Sequence, residues 1–271
     1  FSKAGVKLET LVTSGGFSAI HTGKKAGFVS AATDESQVYD NANINISIIA
    51  TPHNLHSRQV VASLKAGKNV FVEKPLALNE AELDEISDVY LSSGSLRLMV
   101  GFNRRFAPHI VRMKQLISVV SEPKSIIMTM NAGAIPPDHW TQDQQIGGGR
   151  IIGEACHYVD LMRFLTGSKI ISYTATMIGQ TPGIEITEDK ASITLSFEDG
   201  SIGTIHYFAN GGKAFPKERI DVFCNDAVLQ LDDFKVLRSF GWNGKNNKWS
   251  VRQDKGQTNC VAKFVASIRD G

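Results

Sequence analysis

The sequence predicts an α/β domain with a parallel sheet, followed by an α+β domain with an open, largely antiparallel sheet. Residues 46–50 and 69–72 are short β-branched and aromatic runs, and residues 57–65 between them have apolar side chains at helical spacing. Strand, helix, strand is the unit of a parallel sheet. Beyond residue 121 long alternating segments replace this pattern. We therefore predict one domain over residues 1–120 and another over residues 121–271.

The first domain is predicted to alternate strands with helices. The predicted strands are residues 6–13, 28–29, 46–50, 69–72 and 96–100. Asn79 is the expected N-cap of a helix that runs to Leu91, and residues 108–119 form another helix.

The second domain is predicted to be built on antiparallel strands. The alternating segments are residues 124–130, 170–177, 191–197, 201–208, 219–223 and 227–231. Glu198-Asp199-Gly200 is a hairpin turn between two of them. Such a sheet packs on one face, and we expect its open face to be a subunit interface. Residues 133–149 form a long loop that could close over a substrate.

Net charge, apolar runs and cysteine content indicate which classes of partner and which compartment fit this sequence. The net charge of the 271 residues is +2, which gives no indication of nucleic acid or of an anionic membrane as a partner. No apolar run approaches the length of a membrane span. Cys156, Cys224 and Cys260 are widely spaced and odd in number, which favours a reducing, cytoplasmic compartment over a disulfide framework or a zinc cluster.

Polar side chains follow the two strands of the strand–helix–strand unit. The first strand is followed by Thr51, Asn54 and His56, and the second by Glu73 and Lys74. Ligands gather at the carboxyl ends of parallel strands, so these side chains are candidates for a binding site. Lys74 precedes a proline, which favours an extended backbone and would aim its ammonium group at a substrate oxygen. The alternative for a lone Lys-Pro pair is a surface lysine in a turn.

A second candidate group lies on a predicted buried helix over residues 151–165. By the three-and-four rule Glu154 and His157 share one face of this helix and can point together into a cleft. Asp160 lies three residues beyond His157 and could orient its ring. The alternative for an isolated histidine is a structural role in the core.

Four ordered motifs cover most of the chain: ATPHNLH at 50–56, EKP at 73–75, GFNRRF at 101–106 and GGGRIIGEACHYVD at 147–160. Together they resemble the glucose-fructose oxidoreductase / inositol dehydrogenase / rhizopine-catabolism (Gfo/Idh/MocA) family of NAD(P)-dependent dehydrogenases. The resemblance implies a Rossmann-like parallel sheet, NAD or NADP as cofactor, and a sugar or nucleotide sugar as substrate. It also implies homo-oligomers, dimers or tetramers, joined through the open sheet.

Hydride transfer from a secondary alcohol needs a base for the hydroxyl proton and a positive group beside the oxygen. His157 would be the base, since imidazole ordinarily titrates near neutrality, Lys74 would steady the oxygen, and Glu154 or Asp160 would support the imidazole. No metal is expected. The residues assigned to the cofactor are Ser14, Thr51, Pro52, Asn54, His56, Glu73, Lys74, Pro75, Asn103 and Arg104.

The glycine-rich turn of a dinucleotide-binding fold is missing from this sequence. Such a fold begins with a strand, a Gly-x-Gly-x-x-Gly turn and a helix, and no segment here has that spacing. We expect the first strand and its glycine loop to lie upstream of Phe1, so that the chain is truncated at its amino end. The alternative, that this fold never had the loop, is disfavoured by the other motifs. The end of the next strand, Thr13-Ser14, is neutral and leaves NAD and NADP as alternatives.

One position departs from the family pattern. Many members carry an aspartate four residues before the histidine, whereas this chain has Gly153 there and Glu154 one step on. Either Glu154 takes that role or the helix register differs. The motif also resembles a subgroup found as the carboxyl-terminal half of two-part dehydrogenases of surface-polysaccharide biosynthesis.

Two other functions stay open at this stage. An NAD-dependent glycosidase would oxidise its substrate transiently and show net hydrolysis. A catalytically silent sugar or dinucleotide sensor would bind without turnover, although Lys74 and His157 together argue against it.

Overall fold

The structure, a computed structural model, describes residues 1–183, 186–243 and 247–270, without the side chains of residues 16–19. The chain forms two compact units, residues 1–101 with 260–271 and residues 102–259. The division differs from the expected one at residue 120 because the helix Pro108–Ile117 buries Ile110, Met113 and Ile117 in the core of the second unit. The last helix also returns to the first unit.

The first unit alternates strands and helices, as predicted. Its elements are β1 (Thr10–Val12), α1 (Gly16–Ala26), β2 (Ser30–Ala32), α2 (Ser36–Tyr39), β3 (Ile46–Ile49), α3 (His56–Lys65), β4 (Asn69–Val72), α4 (Glu80–Ser92) and β5 (Leu98–Val100). All pairings are parallel, in two groups, β1–β2 and β3–β4–β5. Within the described residues β1 and β3 are not paired with each other.

A buried apolar cluster and a helix cap stabilise the central part of this unit. Val60 and Leu64 of α3 are buried with Val70 and Val72 of β4 in one apolar cluster, which fixes the helix on the sheet. The side chain of Asn79 accepts a hydrogen bond of 3.0 Å from the backbone N–H of Glu82. The predicted N-cap of α4 is therefore confirmed, and such a cap contributes about 1 kcal/mol.

The second unit is an eight-stranded sheet covered by two helices. Its elements are α5 (Pro108–Ile117), β6 (Ser125–Asn131), α6 (Cys156–Thr166), β7 (Ile170–Met177), β8 (Lys190–Phe197), β9 (Ile202–Phe208), β10 (Glu218–Cys224), β11 (Ala227–Asp232), β12 (Val236–Phe240) and β13 (Lys248–Trp249). The strand order is β13-β12-β11-β10-β6-β9-β8-β7. Every neighbouring pair is antiparallel except β6 with β9. The largely antiparallel sheet is thus confirmed, while β12 and β13 were not predicted.

Helix α6 lies close to the sheet of its unit. Its residues Tyr158, Leu161 and Met162 are fully buried in the core. A Cβ atom at Gly203 of β9 would lie 2.5 Å from the sulfur of Met162, so a larger residue there would require the methionine side chain to move. The glycine thus leaves room for a side chain of the helix that carries His157.

The last helix, α7 (Gln257–Arg269), was not predicted. From Cys260 onward it belongs to the first unit, where Phe264 packs edge-on against Phe71 at 5.6 Å. The guanidinium of Arg97 donates to the carbonyl of Ser267 at 3.3 Å. No helix in the described parts of the chain is long and apolar enough to span a bilayer.

Candidate active site

The carboxyl end of β3 carries the first group of predicted residues. Pro52 and Asn54 are exposed, and Thr51 is half-buried. The Thr51 hydroxyl lies 2.6 Å from the side-chain oxygen of Gln59, a buried residue of α3. The hydroxyl is therefore held in place by the helix that follows it.

His56 has a different place from the one predicted. The ring is fully buried, with Nδ1 at 2.7 Å from the carbonyl oxygen of Pro75 and Nε2 at 2.9 Å from that of Thr51. Both ring nitrogens thus face backbone carbonyls. His56 links the ends of β3 and β4, and it does not present a free edge to a cofactor.

The carboxyl end of β4 carries Glu73, Lys74 and Pro75. Glu73 is exposed, Lys74 is half-buried, and Pro75 is buried behind a cis Lys74–Pro75 bond. A Cβ atom at Gly101, just after β5, would lie 2.9 Å from a carboxylate oxygen of Glu73. The glycine therefore leaves room for this carboxylate at the strand end.

Ser14 lies just beyond β1 and is exposed, as a residue facing a ribose would be. The neighbouring Thr13 hydroxyl donates to the carbonyl of Gly15 at 3.0 Å. Both side chains are neutral, so the strand end gives no charge-based choice between NAD and NADP.

His157, the predicted base, lies in the first turn of α6. The residue is 5% exposed, and its ring packs edge-on against Phe102, with centroids 6.0 Å apart. The imidazole is therefore shielded from bulk water on the side of this aromatic ring.

Glu154 belongs to a charged network of the second unit. Its carboxylate accepts from the Tyr207 hydroxyl at 2.5 Å, from Arg150 at 3.2 Å and from Lys217 at 3.3 Å. Burial raises the pKa of Glu154, but the bond from Tyr207 and the charges of Lys217 and Arg150 outweigh it and lower the pKa below its usual value. Glu154 is thus an ionised, charge-compensated group.

The helix register around Glu154 differs from the continuous α-helix predicted. Ile151–Ala155 is a π-helical turn, and the α-helix begins only at Cys156. A π turn adds a residue to the turn, so the spacing of Glu154 and His157 is no longer that of an α-helix.

Asp160 is engaged by Arg105. The guanidinium of Arg105 donates to both carboxylate oxygens, with Nε at 3.0 Å from Oδ2. Burial raises the pKa of Asp160 although the Arg105 charge opposes it. The paired arrangement favours a structural role for Asp160 over the predicted one of orienting His157.

Arg104 lies in a buried ion pair, and Asn103 is half-buried beside it. Arg104 is 6% exposed, and its guanidinium pairs at 3.2 Å through two nitrogens with both oxygens of the buried Glu218. Lys255 binds the same carboxylate, and Asn103 donates to the carbonyl of Lys255 at 2.7 Å. Within this unit Arg104 is a buried partner of Glu218, which leaves its guanidinium unsuited to a cofactor contact.

Arg150 is a residue that sequence reasoning missed. Its guanidinium donates to the carbonyls of Gly133 at 2.7 Å and Ala132 at 3.3 Å, and lies 3.8 Å from the buried Asp189. It thereby ties together the two ends of the loop 133–149. The one available signal was its place directly after three consecutive glycines in the fourth motif.

The two units carry different chemical groups. The first holds hydroxyl, carboxylate and ammonium groups at adjacent strand ends, a set suited to ribose and amide groups. The second holds an imidazole on a helix behind a glycine-rich loop. Among the described side chains no cluster of three or more histidine, cysteine or carboxylate groups could hold a metal ion.

Comparison with known proteins gives two family matches. Residues 3–102 match the oxidoreductase family with an NAD-binding Rossmann fold, and residues 110–230 match the GFO/IDH/MocA C-terminal domain. The chain is 30% identical over 242 residues to an inositol 2-dehydrogenase of Rhizobium meliloti, which covers 85% of the chain and 72% of that protein. It is 27% identical over 217 residues to a myo-inositol 2-dehydrogenase of Thermotoga maritima, which covers 78% of the chain and 64% of that protein.

The fold is also found in solved structures. A levoglucosan dehydrogenase in complex with NADH and levoglucosan superposes with a TM-score of 0.83 at 19% identity, over 97% of this chain and 82% of that one. At this identity the likeness concerns the fold alone.

Proposed function

The chain belongs to the Gfo/Idh/MocA oxidoreductase family, and from this premise we propose that it transfers a hydride between NAD or NADP and a secondary alcohol of a sugar. The observation that carries the proposal is the parallel pairing of β3 with β4, which places Ile49 beside Val72. The polar residues that follow the two strands, Thr51 and Lys74 among them, therefore leave the sheet at the same edge.

The strand-end residues fit the nicotinamide and ribose part of the cofactor. Thr51, Pro52, Asn54 and Glu73 are exposed or half-buried, and Gly101 leaves room beside Glu73. The chain has no Gly-x-Gly-x-x-Gly turn that would hold the diphosphate. The bound nicotinamide would supply the hydride acceptor or donor.

His157, Lys74 and Glu154 have separate roles in the proposed reaction. His157 takes the hydroxyl proton of the alcohol during oxidation and returns it during reduction. The ammonium group of Lys74 stabilises the negative charge that develops on the oxygen. Glu154, held ionised by Arg150, Lys217 and Tyr207, acts on the electrostatics of the loop and helix and does not exchange the proton.

The substrate class rests on the relatives. Two of them are named as inositol dehydrogenases and a structural neighbour was solved with levoglucosan, so polyols and anhydrosugars come first. Nucleotide sugars follow from the resemblance to enzymes of polysaccharide biosynthesis. A reducing, cytoplasmic compartment is proposed because Cys156, Cys224 and Cys260 are odd in number and widely spaced in the sequence.

The open face of the eight-stranded sheet is proposed as the oligomer interface. Apolar side chains that point outward include Ile127 of β6, Ile202 and Phe208 of β9, and Phe223 of β10, each at least 38% exposed. A cluster of this kind on neighbouring strands is a feature of subunit contacts. Light scattering of wild type and Ile202→Asp would test it, with a shift to monomer as the expected result.

Activity measurements test the proposed reaction. Oxidation of inositols, levoglucosan and a nucleotide sugar with NAD and NADP is followed by nicotinamide absorbance, for wild type, Lys74→Met, His157→Asn and the exposed control Lys65→Met. We expect Lys74→Met and His157→Asn to lower kcat/KM by roughly 10²–10⁴-fold, with the control unchanged. Full activity of Lys74→Met would contradict the mechanism. Net hydrolysis without cofactor turnover would instead identify the glycosidase alternative, and binding without turnover the sensor.

A further inference from the structure

A chain of hydrogen bonds in the first unit begins at Glu35, the residue just before α2. Its carboxylate accepts from the Tyr39 hydroxyl at 3.0 Å, from Arg58 at 3.0 Å and from the side-chain nitrogen of Gln59 at 2.6 Å. Burial raises the pKa of Glu35, but the bonds from Arg58, Gln59 and Tyr39 lower it overall. At neutral pH Glu35 is therefore ionised and can only accept hydrogen bonds.

The charge of Glu35 fixes the orientation of the Gln59 amide. Gln59 is 6% exposed, and the carboxylate must meet its NH₂ group because two acceptors would repel each other. The amide oxygen then points the other way, to the Thr51 hydroxyl at 2.6 Å. Since this oxygen can only accept, the single hydroxyl proton of Thr51 is committed to Gln59.

The hydroxyl oxygen of Thr51 consequently offers only lone pairs to a ligand. The carbonyl of the same residue faces the His56 ring at 2.9 Å, which fixes the backbone that carries the hydroxyl. We propose that Glu35 and Gln59 are positioning residues that make Thr51 an obligate hydrogen-bond acceptor, so that it recognises a donor group of the cofactor. This inference rests on the proposed function, since it takes the end of β3 as part of the cofactor site.

The polarity excludes one part of the dinucleotide. Phosphate oxygens carry no proton at neutral pH and would meet a lone pair with a lone pair, so Thr51 does not hydrogen-bond to the diphosphate. Donors are present on the adenine amine, on the hydroxyls of both riboses and on the nicotinamide carboxamide. The proposed function puts the end of β3 beside the nicotinamide and its ribose, and on that basis Thr51 is assigned to the nicotinamide riboside half.

Cofactor binding to the full chain provides the test. The dissociation constants of NADH and NADPH are measured by nicotinamide fluorescence for wild type, Thr51→Val, Thr51→Ser and Glu35→Gln, with the exposed Glu85→Gln as the matched control. Thr51→Val is nearly isosteric and should raise the dissociation constant about 5- to 10-fold, the loss of one hydrogen bond. Thr51→Ser and Glu85→Gln should bind like wild type.

The double variant separates positioning from simple structural damage. Glu35→Gln frees the Gln59 amide to turn over and should raise the dissociation constant about threefold. Added to Thr51→Val it should have no further effect, because the group it positions is already gone. Additive losses would show that Glu35 does not act through Thr51 and would overturn the inference.

Cofactor analogues identify the donor. One analogue lacks the 2′-hydroxyl of the nicotinamide ribose, and another has an acetyl group in place of the carboxamide. The analogue without the recognised donor should bind wild type and Thr51→Val equally, while the other keeps the difference. Unchanged NADH binding in Thr51→Val would overturn this inference alone. A wild-type chain that bound neither NADH nor NADPH would overturn the proposed function and this inference with it.

Discussion

The Nδ1 atom of His56 lies 2.7 Å from the carbonyl oxygen of Pro75, nineteen residues further along the chain. The other ring nitrogen faces the carbonyl of Thr51, so one buried ring joins the segments that follow β3 and β4. The last backbone hydrogen bond between the two strands runs from the N–H of Glu73 to the carbonyl of Ile49 at 2.9 Å. The His56 ring contacts the segments just beyond this bond, where the proposed cofactor site begins.

Replacing this ring tests its structural role. His56→Ala removes the ring between two carbonyls, of which a neutral imidazole can donate to one, and leaves a cavity, so we expect the free energy of unfolding to fall by about 2–4 kcal/mol. Cofactor affinity should fall as well, because both strand ends lose their common anchor. Urea unfolding of the variant measures the first effect, with exposed His21→Ala as the control that should change little. A His56→Ala protein as stable as wild type would show that the ring does not stabilise the two strand ends.

The space beside Glu73 gives a second prediction. A methyl group in Gly101→Ala would lie 2.9 Å from the Glu73 carboxylate, which must turn away, while the nearest backbone atom is at 3.4 Å. We expect a stability loss of at most about 1 kcal/mol, because a flexible side chain gives way. NADH binding should weaken several-fold, since the carboxylate moves at the proposed cofactor site. Gly179→Ala, where a Cβ atom meets nothing within 4 Å, is the matched control. Unchanged binding in Gly101→Ala would remove Glu73 from the cofactor site.

The buried pair of Arg104 and Glu218 predicts a pH dependence of stability. Burial raises the pKa of Glu218, but the charges of Arg104 and Lys255 outweigh it and lower the pKa below its ordinary value. A carboxyl group with a depressed folded pKa stabilises the protein above its unfolded pKa. That stability is lost as the pH falls through the folded value. We therefore expect the free energy of unfolding to fall in acid, below about pH 4.5.

Glu218→Gln checks this assignment. The variant leaves two cations around a buried amide and should lose about 3–5 kcal/mol at neutral pH. Its stability should also vary less with pH in the acid range than that of wild type. The exposed Glu198→Gln serves as the control in denaturant titrations between neutral and acid pH. An unaltered acid slope in Glu218→Gln would mean that another group carries the dependence.

Sequence patterns predicted those elements of the protein whose structure depends on neighbouring residues in the chain. The strands β3 and β4, the Asn79 cap and most strands of the large sheet follow from periodicity and turn residues within short windows. The roles of His56 and Arg104 did not follow, because their partners lie 19 and 114 residues away. A basic residue in a buried ion pair and a basic residue that faces a ligand have the same local sequence. The sequence shows the basic side chain and does not show which distant residue becomes its partner.

The π-helical turn at Ile151–Ala155 shows the same limit in the candidate site. Its sequence has the apolar spacing of an α-helix, which is why Glu154 and His157 were placed on one face. The ion pair of Glu154 with Lys217 and the bond from Tyr207 of β9 come from residues that the fold brings together, 63 and 53 residues away in the sequence.

The different surroundings of Glu154 and His157 predict which of them is the base. A base in catalysis has to change its protonation near the working pH, and Glu154 has a pKa lowered below the usual carboxyl range. Glu154→Gln should therefore lower kcat by about tenfold at most and keep the neutral-range limb of the pH–rate profile. Tyr207→Phe should behave alike, because it disturbs the same network without removing the carboxylate. In His157→Asn the residual rate should be independent of pH in that range. If Glu154→Gln abolished the limb while His157→Asn retained it, the proton would be exchanged by the carboxylate, and the assignment of the base would have to be reversed.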